Sequence, residues 1–122
     1  MIEIKRINHV QVCIPKGQEL LARDFYLGIL NFKEIEKPSE LKDNGGFWLE
    51  VANIQFHIGI EDNNFRSKKS HPAFEITNLV KAKEYLISKN VQIEEQIKIP
   101  NQERFSFFDP FGNRIEFLEY LQ

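Results

Sequence analysis

Four side chains of this 122-residue chain are of metal-binding type and sit at related places: His9, His57, His71 and Glu116. An offset of 62 residues sets His9 on His71, and an offset of 59, read from the Asn53 and Gly112 turns, sets His57 on Glu116. All three histidines of the chain fall at these positions. Neutral imidazoles and a carboxylate bind Zn²⁺, Fe²⁺, Ni²⁺, Mn²⁺ or Co²⁺. Two histidines and one carboxylate on separate strands leave positions open for water or substrate. The chemistry expected of such a set is polarisation of a carbonyl or stabilisation of an enediolate. No local pattern such as HExxH accompanies the four, so the signal is their symmetry.

The elements that must position them read as one pattern written twice. Val10, Val12 and Ile14 alternate with His9, Gln11 and Cys13, which suits a strand within 4–15. Leu21, Phe25, Gly28 and Ile29 form a stripe at helical period. A second strand follows near Phe32–Ile35, then a loop over 36–46 and a hairpin of 47–51 with 54–60. The second half repeats the order: a strand over 72–76, and a helix capped by Thr77 or Asn78 with Leu79, Ala82, Tyr85 and Leu86 inward. A strand over 91–99 and a closing hairpin about the Asp109–Asn113 turn complete it. Phe25 and Tyr85 are expected in the core. Each half is thus β-α-β-β-β, which predicts an α+β protein with module one over 4–60, a linker over 61–70 and module two over 71–120. On these strands His9, Gln11 and Cys13 share one face, and Glu116 opposes Ile115 and Phe117. Trp48, Gln11, Cys13, Arg104 and Ser106 are candidates to line a substrate pocket, although Trp48 could equally belong to the core and Arg104 to the solvated surface.

Composition narrows the function classes. Sixteen Lys and Arg against eighteen Asp and Glu give a net charge of −2, and the densest basic cluster, Arg66, Lys68 and Lys69, is bordered by Glu61 and Asp62. No basic face for nucleic acid is expected. No apolar run approaches the ~20 residues that cross a bilayer, and the charged opening stretch lacks the apolar segment of a signal peptide. A lone cysteine, Cys13, forms no internal bridge and fits a reducing compartment, so a cytoplasmic location is expected. Module edges that expose strand backbone predict a homodimer.

Three stretches carry a specific likeness: Ile7-Asn8-His9-Val10-Gln11-Val12, Phe25 to Phe32, and Asp109-Pro110-Phe111-Gly112-Asn113-Arg114-Ile115-Glu116-Phe117. With the repeated β-α-β-β-β order, the chain resembles the vicinal oxygen chelate superfamily, which includes glyoxalase I, extradiol dioxygenases, fosfomycin resistance enzymes and bleomycin-binding proteins. The resemblance implies paired modules whose mixed sheets form a half-open barrel around one divalent ion: Zn, Ni, Mn, Fe or Co. Position by position it makes His9, His71 and Glu116 the metal ligands, with His57 at a fourth position where glyoxalase I has a glutamate. Glu116 would then be the one carboxylate of the set, serving as ligand and as the catalytic proton carrier. Two functions are implied. One is a metal-dependent lyase, isomerase or dioxygenase that chelates a small substrate through adjacent oxygens; the other is a non-catalytic small-molecule or drug-binding protein.

Overall fold

A computed structural model describes residues 1–122 and resolves them into two compact units, Met1–Asn63 and Asn64–Gln122. The first unit contains β1 (His9–Ile14), α1 (Glu19–Arg23), β2 (Lys33–Ile35), β3 (Phe47–Val51) and β4 (Ile54–Ile60). The second contains β5 (Ala73–Glu75), α2 (Leu79–Ser88), β6 (Ile93–Glu95), β7 (Gln102–Phe108) and β8 (Arg114–Tyr120). Their sheets run β1-β4-β3-β2 and β5-β8-β7-β6, with β1–β4 and β5–β8 parallel and the remaining pairs antiparallel. Each is a mixed four-stranded sheet, left open, beside helix: the α+β class expected of the repeat. No helix is long and apolar enough to cross a membrane.

Strand alternation divides each sheet into an apolar face and a polar face. In the first unit Val12, Ile14, Phe47, Leu49, Phe56 and Ile58 are buried, together with Ala22, Phe25 and Tyr26 of the helical segment. Tyr26 is fully buried and lies 5.3 Å from Phe56 and 5.9 Å from Phe32, ring centroid to centroid. In the second unit Phe105, Phe107 and Ile115 are buried, as are Leu79 and Leu86 of α2, and Phe107 meets Phe117 edge-on at 4.8 Å. The side chains between these residues in sequence, including His57, Trp48, Arg104, Ser106 and Glu116, belong to the opposite faces.

Several elements differ from the sequence expectation, each for a physical reason. The first helix is not one continuous α stripe: after Arg23 it widens into a π-type segment, Asp24–Ile29, in which the Leu30 amide bonds the Phe25 carbonyl at 2.9 Å. Ala22, Phe25 and Tyr26, spaced at i, i+3 and i+4, are the buried residues of this helical segment, and Leu21 is exposed. Tyr85 is on the surface rather than in the core, since α2 buries Leu79 and Leu86; the Lys89 ammonium lies 5.8 Å from its ring centroid. The strand expected over 91–99 stops at Glu95, because the Ile97 carbonyl accepts the Arg104 guanidinium instead of a neighbouring strand. Ile2, Ile4 and Ile7 precede β1 and are exposed. Within the 36–46 loop a 3₁₀ turn, Ser39–Asn44, ends at Gly45 and Gly46, both with positive φ; a Cβ at Gly46 would collide with the Ile58 carbonyl oxygen.

Asn78 is the residue that caps α2, its Oδ1 accepting from the Lys81 amide at 3.4 Å. The Glu119 carboxylate reinforces it from β8, accepting the amides of Asn78 and Leu79 at 2.9 Å each. Those backbone donors, Leu79 first, hold the Glu119 pKa below its ordinary value. In the 109–113 turn, Asp109 Oδ1 accepts from the amides of Phe111 and Asn113, and Gly112 supplies the positive φ.

Candidate functional site

The polar face of the first unit carries a stack of three rings across β3, β4 and β1. Trp48 and His57 are directly paired residues, with ring centroids 4.0 Å apart and planes inclined by 6°. On its other side His57 stacks against His9 at 4.1 Å and 15°. The rings face a cleft of about 780 Å³ that Gln11, Gln55 and Lys37 also line. Cys13, on the same face of β1, is half-buried and is not part of that wall. Gln11 spreads its amide over Gly59, where a Cβ would stand 2.8 Å from Nε2.

Hydrogen bonding fixes which nitrogen of each ring carries a proton. His57 Nε2 donates to Gln55 Oε1 at 2.8 Å. Burial is the main reason its pKa falls to about 4, and the nearby His9 and Lys37 lower it further. The ring is therefore neutral at pH 7, with its lone pair on Nδ1. His9 is the reverse: Nδ1 donates to Asn8 Oδ1 at 2.9 Å, leaving the lone pair on Nε2.

In the second unit a histidine meets a carboxylate edge-on. His71, just before β5, donates Nδ1–H to the Lys69 carbonyl at 2.7 Å, which turns Nε2 toward β8. That nitrogen stands 3.1 Å from Oε1 of Glu116, which is 5% exposed. A lone pair directed at a carboxylate oxygen is stable only with a positive centre between them, either a proton on Nε2 or a cation. Arg104 places Nη1 3.6 Å from the same oxygen, while its Nε and Nη2 both donate to the Ile97 carbonyl, at 3.2 and 2.9 Å. Ser106, directly across the ladder from Glu116, is completely buried, and its hydroxyl accepts from Arg114 Nε at 3.0 Å. Arg114 spends its remaining groups on the Lys68 carbonyl and on Gln96 Oε1.

This geometry tests how each set would fit a divalent ion. At bond lengths near 2.0–2.2 Å, adjacent donors on one ion lie about 3 Å apart, which the His71–Glu116 pair matches. The Nδ1 bond to a carbonyl is also the usual way a ligating imidazole is oriented. His9 and His57 do not converge in the same way. Imidazole lone pairs lie in the ring plane, so two rings stacked at 15° direct them side by side rather than at one point. Within neither unit do three His, Cys, Asp or Glu side chains gather into a metal cage.

Comparison with known proteins agrees with the architecture. The family model described as the glyoxalase/bleomycin resistance protein/dioxygenase superfamily matches residues 6–117. The chain belongs to this superfamily. A glyoxalase family protein from Bacillus anthracis shares 42% identity over 98% of both chains, with a TM-score of 0.92. A glyoxalase/dioxygenase from Nostoc punctiforme is 18% identical over 97% of this chain and 92% of its own, TM-score 0.77. TnmS3, an antibiotic binding protein from Streptomyces sp. CB03234, is 15% identical over 98% and 99%, TM-score 0.76. The last two share the superfamily fold. No curated protein matches the chain in sequence.

Sequence reasoning overlooked the residues that orient the site. Gln55 and Arg114 each lie two positions before a candidate, His57 and Glu116, on the same strand face, so alternation was a usable signal for both. Lys37, Gln96 and the Lys69 carbonyl are brought in by loops and carried no such signal.

Proposed function

We propose that this protein is a divalent-metal-dependent enzyme of the glyoxalase/dioxygenase type, acting on a small molecule that presents two adjacent oxygens. The observation that carries the reading is His71 Nε2 standing 3.1 Å from Glu116 Oε1, with Nδ1 committed to the Lys69 carbonyl. In the first unit His57, neutral and stacked, supports the His9 ring. In this reading His71 Nε2 and Glu116 Oε1 are two donors to the ion. Bound there, an ion would polarise the substrate oxygens and so acidify neighbouring C–H or O–H groups. Glu116 Oε2 accepts the proton released, and Arg104 holds the carboxylate in place. Lyase, isomerase and dioxygenase chemistries all begin from such an arrangement. We place the enzyme in the cytoplasm as a homodimer, with the edge strands of the open sheets as contact surfaces.

Elemental analysis of protein reconstituted with Zn²⁺, Ni²⁺, Mn²⁺ or Fe²⁺ tests the reading, followed by turnover assays on hemithioacetals, catechols and epoxides. About one ion per chain, lost in Glu116→Ala, is expected; unchanged stoichiometry in that variant would refute the assignment. A second reading rests on the Trp48–His57–His9 stack beside its cleft: a non-catalytic protein that sequesters an aromatic compound. It requires aromatic ligands to bind equally well without metal and without turnover.

A further inference from the structure

We propose that Arg104 is the specificity residue of the His71–Glu116 site and selects substrates that carry a carboxylate next to their hydroxyl or carbonyl oxygen. This deepens the reading above and rests on it for the location of the reacting oxygens. Two arginines share this face of the second sheet, and they are used differently. All three nitrogens of Arg114 are committed, to Ser106, the Lys68 carbonyl and Gln96. Arg104 commits only Nε and Nη2, both to the Ile97 carbonyl. Its Nη1 is 3.6 Å from Glu116 Oε1, beyond hydrogen-bond reach, and the side chain keeps 20% of its exposure. The guanidinium is therefore fixed in place, its Nη1 held only by the longer ion pair with Glu116.

A planar, preorganised guanidinium loses little entropy on receiving an anion, and it forms short charge-assisted hydrogen bonds with a carboxylate. An anionic substrate brought to Glu116 places negative charge beside a buried carboxylate, and Arg104 is the cation positioned to offset both. A neutral substrate of the same shape leaves Nη1 with only the long ion pair to Glu116. The selected class is thus the 2-hydroxy and 2-oxo acids rather than their amides or the neutral diketones.

The test compares L-lactate with L-lactamide, which share skeleton and adjacent oxygens but differ in charge. Each is titrated into the full chain, Zn²⁺-loaded and metal-free, with binding followed by amide chemical shifts that also report whether each variant is folded. The wild-type chain is expected to prefer lactate in both forms. Arg104→Gln should reduce that preference by about tenfold to a hundredfold, and Arg104→Lys should restore part of it. A folded Arg104→Gln protein with the wild-type preference, or a wild-type protein with none, overturns the proposal. Failure to bind Zn²⁺ would refute the metal reading instead, because the metal-free titration measures the Arg104 contribution on its own.

Discussion

The two units share one strand order yet use their histidines in opposite ways. In the first, His57 is stacked face to face between Trp48 and His9, and its one N–H is spent on Gln55. In the second, His71 is presented edge-on, its Nδ1–H spent on a backbone carbonyl and its Nε2 turned to Glu116. The difference lies in what sits two residues away or across the ladder. A glutamine beside His57 and a tryptophan opposite it make a neutral aromatic wall; a carboxylate opposite the 71–73 segment, flanked by arginines, makes a charged centre. Residue type at repeat-related positions identifies candidate ligands, but ring orientation decides which of them can share an ion.

The largest expected effect breaks this contrast at the charged centre. His71→Ala or Glu116→Ala should weaken divalent-ion binding by at least about a hundredfold, since even outer partners of metal ligands contribute 10–100-fold. Trp48→Ala should leave that affinity near the wild-type value. Competition titration with a chromogenic chelator reads both, and equal losses in all three variants would erase the distinction between the units.

Next in size is a change confined to the first unit. Gly46→Ala adds a side chain at φ +78 that meets the Ile58 carbonyl, so it should destabilise by more than about 1 kcal/mol. Denaturant unfolding measures the loss, and an unaltered midpoint would show that the 3₁₀ turn relaxes away from β4.

Acidification separates the units further. Folded His57 stays neutral down to about pH 4, whereas the unfolded chain protonates it near its ordinary value of 6.5. Between those limits the unfolded state binds more protons, so this group's contribution to stability falls as pH drops from 6.5 toward 4 and changes little below. In metal-free protein, His57→Phe should flatten the pH dependence of the thermal midpoint across that window. A profile as steep as that of the wild type would place the sensitivity elsewhere. A smaller, spectroscopic effect accompanies it. Trp48 is the one tryptophan of the chain and stacks on His57, so its fluorescence should be quenched on acidification with a midpoint at about pH 4. A midpoint near 6.5 would mean that His57 is not shielded as described.

Much of this architecture was legible in the sequence, and the failures have identifiable causes. The alternation on β1 and β8 follows from side-chain period, and the repeat follows from element order with the two offsets that align His9 with His71 and His57 with Glu116. The π-type segment does not, because composition carries no mark of the wider hydrogen bond from the Leu30 amide to the Phe25 carbonyl. The early end of β6 depends on a hydrogen bond between Ile97 and Arg104, seven residues apart, that no local pattern announces. Ser106 is a candidate pocket residue in the sequence. Its hydroxyl is instead buried beneath Arg114, a contact set by how far an arginine reaches across neighbouring strands. Stacking of His57 needed ring orientations, which spacing does not encode.

The central claim is that His71 Nε2 and Glu116 Oε1 flank a cation site, and ring-nitrogen NMR of the three histidines tests it most directly. Before metal is added, His71 should show a protonated Nδ1. On addition of Zn²⁺ its Nε2 resonance should move to the metal-bound range, while His57 keeps its Nε2 proton. Unchanged His71 ring nitrogens at saturating Zn²⁺, or metal-bound shifts at His57 in their place, would contradict the account.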